Sequence, residues 1–315
     1  MMLAAILVVA AGYTLSGKKR RKRPESGDQW SIGILRGPDP LSLAEHPAFA
    51  NPRFSVADIP GDDYIMAADP FLVEDADRWL LFFEMLNRRT RLGEIGVADS
   101  DDGWHWSYRG QALEESFHLS YPQVFRHGND WFMIPESRAA REVRLYRALE
   151  FPLRWTLERV LFTGNYSDPS ILRWNDRWWI LATRHPRRLE IWSADELHGT
   201  WRPHPRNPVY RYHKSAARGG GRPVVADGRI LRFAQDARQG YGSALRAFAI
   251  DVLDEQRFRE HPVEPDPFLA AHGNGWARAG MHHCSPVQLA SGDWMAAVDG
   301  SGISGRRDTA AGAAP

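Results

Sequence analysis

The sequence predicts an all-β fold, a five-bladed β-propeller, and three observations carry that expectation. One strand motif recurs five times. Each copy is followed at a nearly constant offset by a second, aromatic-rich strand. No amphipathic helical pattern of useful length interrupts the series. The composition of the 315 residues agrees: 43% are hydrophobic, and 13 Trp, 9 Tyr and 14 Phe supply residues that favour strands.

The motif is a polar residue, a proline, then apolar alternation. It reads Ala68-Asp69-Pro70-Phe71-Leu72, Ser120-Tyr121-Pro122-Gln123-Val124, Ser167-Asp168-Pro169-Ser170-Ile171, Gly221-Arg222-Pro223-Val224-Val225 and Cys284-Ser285-Pro286-Val287. The second strands run from Arg78 to Glu84, Asp130 to Glu136, Arg177 to Thr183, Arg229 to Gln235 and Asp293 to Asp299. Third strands are expected around Ile95, Leu145, Ile191 and Leu245. Fourth strands are expected to begin at Trp104-His105-Trp106, Trp155-Thr156-Leu157 and Thr200-Trp201-Arg202. The fifth copy runs out after two strands, near Gly302. Its outer strands must come from the other end, where Trp30-Ser31-Ile32-Gly33-Ile34-Leu35 is the candidate. Such a closure leaves no exposed edge on a first or last blade. The propeller is thus expected over 30–302, with a disordered Gly/Ala-rich tail over 303–315.

The N-terminus differs. Residues 1–16 are largely apolar, and Lys18-Lys19-Arg20-Arg21-Lys22-Arg23 follows within a basic linker over 17–29. A secretory signal carries its charge before the apolar stretch, not after it. The expectation is a short membrane-anchor helix with the propeller on the cytoplasmic side, because basic clusters stay there. The formal net charge of +1 gives no sign of nucleic-acid binding. Cys284 is the single cysteine, so no internal disulfide and no zinc–cysteine cluster is possible.

In a propeller, residues near the axis converge from every blade. The polar residue before each proline and the polar end of each second strand are therefore the candidate site. Asp69, Glu136 and Asp168 are the expected catalytic acids. Glu84, Tyr121, Gln123, Arg184, Arg222, Gln235, Asp236, His282, His283 and Asp299 are the expected substrate-binding set. Taken singly, an Asp before Pro is a common turn initiator and a strand-end Glu is usually solvated. Glu136, after apolar Met133-Ile134-Pro135, better suits a buried or channel-facing carboxylate. The five tryptophans at 79, 131, 178, 179 and 294 read as packing between blades rather than as sugar platforms. Two adjacent histidines on a strand would face opposite ways, so no metal site and no cofactor is expected at His282-His283. Paired carboxylates flanking a scissile bond are the chemistry of glycoside cleavage.

These residues resemble a known family. The runs from Ala68 to Leu72, Phe82 to Glu84, Gly93 to Ala98, Ser120 to Phe125, Ile134 to Ser137 and Ser167 to Ile171 resemble the N-terminal propeller domain of glucosamine inositolphosphorylceramide transferases. Phe233-Ala234-Gln235-Asp236, Tyr241-Gly242-Ser243-Ala244, Gly280-Met281-His282-His283 and Ala297-Val298-Asp299-Gly300 extend the likeness. More distantly, the chain is similar to the five-bladed arabinanases, invertases and levansucrases, which work with an Asp in the first blade, an Asp in the third and a Glu elsewhere. Asp69 and Asp168 match the first two by blade. Blade four, with Gln235-Asp236, offers no equivalent of the acid Glu. The plant transferases also carry a C-terminal glycosyltransferase domain, for which 315 residues leave no room. The resemblance implies a saccharide or glycolipid partner in cell-envelope glycan or glycolipid metabolism. Two roles fit: a carbohydrate-active enzyme, or a non-catalytic glycan-binding module serving a separate glycosyltransferase. A pure protein-interaction scaffold is a third.

Overall fold

The computed structural model describes residues 29–302, and over them the chain is a ring of five antiparallel sheets. The expected anchor over 1–16, most of the linker and the tail over 303–315 lie outside the described residues. No helix among the described residues is long and apolar enough to cross a membrane.

The first blade comprises Tyr64–Asp75, Arg78–Asn87, Gly93–Ser100 and Ser107–Leu113, from the axis outward. The second comprises Ser120–His127, Asp130–Glu136, Glu142–Glu150 and Arg154–Thr163. The third runs through Tyr166–Trp174, Arg177–Arg184, Arg188–Ala194 and the two-residue Arg202–Pro203, and the fourth through Val224–Ala226, Arg229–Asp236, Ala244–Leu253 and Phe258–Val263. The fifth takes Cys284–Gln288 and Trp294–Gly302 from the C-terminal side, and Gln29–Gly37 with Ala44–Glu45 from the N-terminal side. Gln29–Gly37 pairs with Trp294–Gly302 in unbroken antiparallel register from Gln29↔Gly302 to Gly37↔Trp294. This is the closure the repeat count demands, and it joins the two ends of the chain in one blade.

The outer strands depart from the expectation in detail. Trp104 and Trp106 do not open a strand. They pack as buried side chains in a turn before Ser107–Leu113, in one cluster with Phe54, Phe83 and Met295. Trp178, Trp179 and Trp294 are buried between blades, and Trp79 and Trp131 pack, partly buried, against two further clusters between blades.

The proline motif has a specific conformation in the first three blades. Asp69, Tyr121 and Asp168 have φ of 50°, 50° and 51°, in the left-handed region. At each of them the inner strand loses register with its neighbour, between Ala68 and Phe71, Ser120 and Gln123, and Ser167 and Ser170. These are β-bulges. A bulge re-aims a side chain, and the proline that follows has no N–H to leave unpaired. A non-glycine residue there carries roughly 1–2 kcal/mol of backbone strain, so three repeats of it at the axis mark a position shaped for more than packing. In blade four the equivalent Arg222 is not in that region, and the positive φ, 134°, falls one residue earlier, on Gly221. A Cβ there would lie 1.7 Å from the Cys284 carbonyl oxygen.

Candidate functional site

Asp69, Glu84 and Glu136 line a single pocket of about 350 Å³ at one end of the axis, together with Arg91, Arg138, Arg218 and Tyr241. The three acids come from the inner strand of blade one and the second strands of blades one and two. All are nearly buried. Asp168 joins them through two contacts. Its backbone N–H donates to Glu136 Oε2 at 3.2 Å, and Arg218 Nε donates to its Oδ2 at 2.5 Å. Arg138 Nε lies 3.3 Å from Glu136 Oε1, and His118 Nε2 lies 3.4 Å from Glu84 Oε1.

Crowding of buried carboxyls sets their charge. Burial, then the neighbouring Asp168, pushes Glu136 up to about 8, against the pull of Arg218 and Arg138. Burial and the negative charge of Asp69, Glu136 and Asp168 lift Glu84 well above the ordinary glutamate value. Burial raises Asp69 to about 7; His282 and Arg218 oppose the rise, while Asp299 and Asp168 add to it. In Glu136 the pocket therefore holds a carboxyl that keeps its proton at neutral pH, beside the arginine-paired Asp168. Neighbouring groups with opposed proton affinities are the raw material of acid–base chemistry.

Behind Asp69, Asp299 is wholly buried. Its Oδ1 accepts the backbone N–H of His282 and of His283, both at 3.0 Å, and its Oδ2 accepts that of Asp69 at 3.2 Å. Burial alone would raise Asp299, but the charge and hydrogen bonding of His282 hold it below the ordinary aspartate value. The His282 ring stacks on Trp30 at 4.0 Å, and its Nε2 is 3.1 Å from the Tyr241 hydroxyl. Burial drives His283 down to about 3, so it is neutral. Both histidines lie in irregular backbone just before the strand Cys284–Gln288. Strand alternation does not apply there, and both rings approach Asp69, at 4.0 and 3.7 Å. That corrects the expectation that the pair would diverge.

Other members of the expected set lie away from the pocket. The Tyr121 hydroxyl is buried below it, held by Ser170 Oγ at 2.7 Å and by both backbone groups of Gly221. Gln123 bridges blades by a two-way hydrogen bond to the Ile171 backbone, at 2.8 Å each way. Arg222 points down the channel. It donates to the Leu72 and Val124 carbonyls at 3.0 and 3.1 Å, and burial lowers it to about 10. Gln235 donates to the Gly219 carbonyl, Asp236 is clamped by Arg238, and Arg184 reaches out to Glu190.

Sequence reasoning missed Arg218, Tyr241, Arg138, Arg91 and His118. For Arg218 there was a signal, because it opens the run Gly219-Gly220-Gly221. A Cβ on Gly219 would meet the Asp168 carbonyl oxygen at 2.9 Å, and one on Gly220 would meet Leu245 at 2.3 Å. The glycines let this segment approach close enough for Arg218 to reach Asp168.

Ring, bulged inner strands and axial carboxyl pocket place the chain among the five-bladed propellers. Among solved structures it is similar to the catalytic domain of a GH62 α-L-arabinofuranosidase from Coprinopsis cinerea, with a TM-score of 0.58 and 12% identity over 87% of this chain and 97% of that one. It is likewise similar to a β-1,2-mannobiose phosphorylase from Listeria innocua, with a TM-score of 0.57 and 14% identity over 84% of this chain and 96% of that one. At such identities the likeness is one of fold. The family is specific: the chain belongs to the family described as glucosamine inositolphosphorylceramide transferase 1, N-terminal, whose model matches residues 22–301. It is 38% identical over 312 residues to the glucosamine inositolphosphorylceramide transferase 1 of Oryza sativa subsp. japonica, covering 90% of this chain and 42% of that one. To the Arabidopsis thaliana protein of the same name it is 34% identical over 308 residues, covering 89% of this chain and 40% of that one. The chain thus spans about two fifths of the length of these relatives.

Proposed function

We propose that this chain handles a saccharide in its axial pocket, within cell-envelope glycan or glycolipid metabolism. The observation that carries the reading is the pairing of Glu136, protonated at neutral pH in the wall of a cleft, with Asp168, buried directly behind it and held against Arg218. An acid and a carboxylate so placed are the parts that glycosyl chemistry uses. Glu136 serves as the acid, Asp168 as the carboxylate partner, and Asp69 and Glu84 complete the wall.

A second reading is favoured by blade four. The residue equivalent to Asp69 and Asp168 there is Arg222, and its guanidinium is spent on backbone carbonyls below the pocket. A pocket without an acid from that blade suits a non-catalytic module that presents a glycan to a separate glycosyltransferase.

One experiment separates the two. Wild type, E136Q and D168N are assayed for binding and for turnover against a panel of oligosaccharides and glycolipid headgroups. Turnover abolished in both variants, with binding retained, supports the enzyme. Binding without turnover in all three proteins supports the module. Absence of any saccharide binding by the wild type sinks both. The reading also places the propeller at the cytoplasmic face of a membrane, anchored by residues 1–16. A C-terminal reporter active only outside the cell would overturn that placement.

A further inference from the structure

At the floor of the pocket, Asp69, His282 and Asp299 meet from three separate segments. Each offers one donor atom, and those atoms lie within 4.8 Å of one another. All three residues are buried, at 7%, 2% and 0% exposure. Two details set the group apart from an ordinary buried hydrogen-bond network. Asp69 Oδ1 is enclosed and has no hydrogen-bond partner, although His282 Nε2 and His283 Nδ1 stand 4.0 and 3.7 Å away. His282 Nδ1 lies 2.7 Å from Asp299 Oδ2, a spacing that two neighbouring ligands of one ion also take. With metal–ligand bonds of about 2.1 Å at right angles, adjacent donors stand about 3 Å apart. Among the described residues, moreover, neither Asp69 nor Asp299 forms an ion pair with an arginine or lysine.

We propose that Asp69, His282 and Asp299 bind a divalent first-row cation of the Mn²⁺ or Zn²⁺ type. Two carboxylates balance its charge, and an imidazole in the set favours such a metal over Mg²⁺ or Ca²⁺, which prefer oxygen alone. The first coordination sphere is already oriented. Backbone N–H groups of His282 and His283 fix the Asp299 carboxylate, and Trp30 fixes the His282 ring by stacking. Asp69 also lines the pocket, so the open coordination positions face the space where a saccharide hydroxyl or a water would lie. The site adjoins the Glu136–Asp168–Arg218 group through Asp69 alone, and its occupancy can be measured with no saccharide present. Failure of the metal site and failure of the saccharide reading are therefore separate results.

The test uses the full chain purified without a histidine tag. Elemental analysis of the protein as isolated is followed by removal of metal with EDTA and calorimetric titration with MnCl₂, ZnCl₂ and CaCl₂. One equivalent of Mn²⁺ or Zn²⁺ is expected to bind. D69N and H282Q, checked for native circular dichroism, are each expected to weaken binding at least about tenfold. H105Q, which breaks the exposed His105–Asp102 pair, is expected to leave it unchanged. If either site variant does not fold, pulsed electron paramagnetic resonance on the Mn²⁺-loaded wild type decides, with coupling to a histidine nitrogen expected. The proposal is overturned by absence of saturable Mn²⁺ or Zn²⁺ binding, by saturable binding of Ca²⁺ alone, by unchanged affinity in folded D69N and H282Q, or by Mn²⁺ that shows no nitrogen coupling.

Discussion

Replacing Glu136 with glutamine should remove a pH-dependent loss of stability. In the folded protein this carboxyl titrates near 8, against an ordinary glutamate value of 4.5, chiefly because it is buried and then because Asp168 faces it. A raised folded value means that the folded state keeps a proton the unfolded chain has already released. The stabilisation from that proton is fully present below pH 4.5 and is lost as pH rises through about 8. At ~1.36 kcal/mol per pH unit the full span is worth about 5 kcal/mol, which is a ceiling. Glutamine has the same shape, can still accept the Asp168 N–H, and does not titrate. Relative to wild type, E136Q should therefore gain at least about 2 kcal/mol between roughly pH 5 and pH 9. Urea unfolding followed by circular dichroism at both pH values gives the difference directly. A gap between the two proteins that stays constant across that range would refute the assignment of a raised Glu136, and with it the acid role.

Further expectations concern the frame that holds the pocket. R218A leaves the buried Asp168 carboxylate without its cation and should cost about 3 kcal/mol in chemical denaturation; R218K, which keeps the charge, should recover part of it. Arg232 and Glu260 form a buried ion pair in blade four. E260Q alone should cost about 3–5 kcal/mol, whereas the R232M/E260L double variant should cost less than the sum of its single changes in a double-mutant cycle. Y121F removes the hydroxyl that joins Ser170 and Gly221 across the axis and should cost about 1–3 kcal/mol, read from the thermal midpoint. G221A would drive a methyl into the Cys284 carbonyl and should yield little soluble protein on expression.

The repeat itself determined the architecture. Five copies of a proline motif, each with its second strand, require five inner hairpins, and a last copy short of two strands requires that the N-terminal segment complete the ring. The same motif marked Asp69 and Asp168 as axial, because a bulged inner strand with a proline turns the preceding residue toward the centre. Local pattern could not say how far each side chain reaches. Tyr121 and Arg222 occupy the same repeat position as the two aspartates, but their length carries their polar ends below the pocket, to Gly221 and to the carbonyls of Leu72 and Val124. Arg218 and Tyr241 enter from loops, whose paths obey no period. The grouping of Asp69 with His282 and Asp299 spans residues some two hundred positions apart and depends on irregular backbone just before a strand. Periodicity in a sequence reports the direction a side chain leaves a regular strand. Distance, burial and proton affinity arise only when the ring closes and brings those strand ends to one axis.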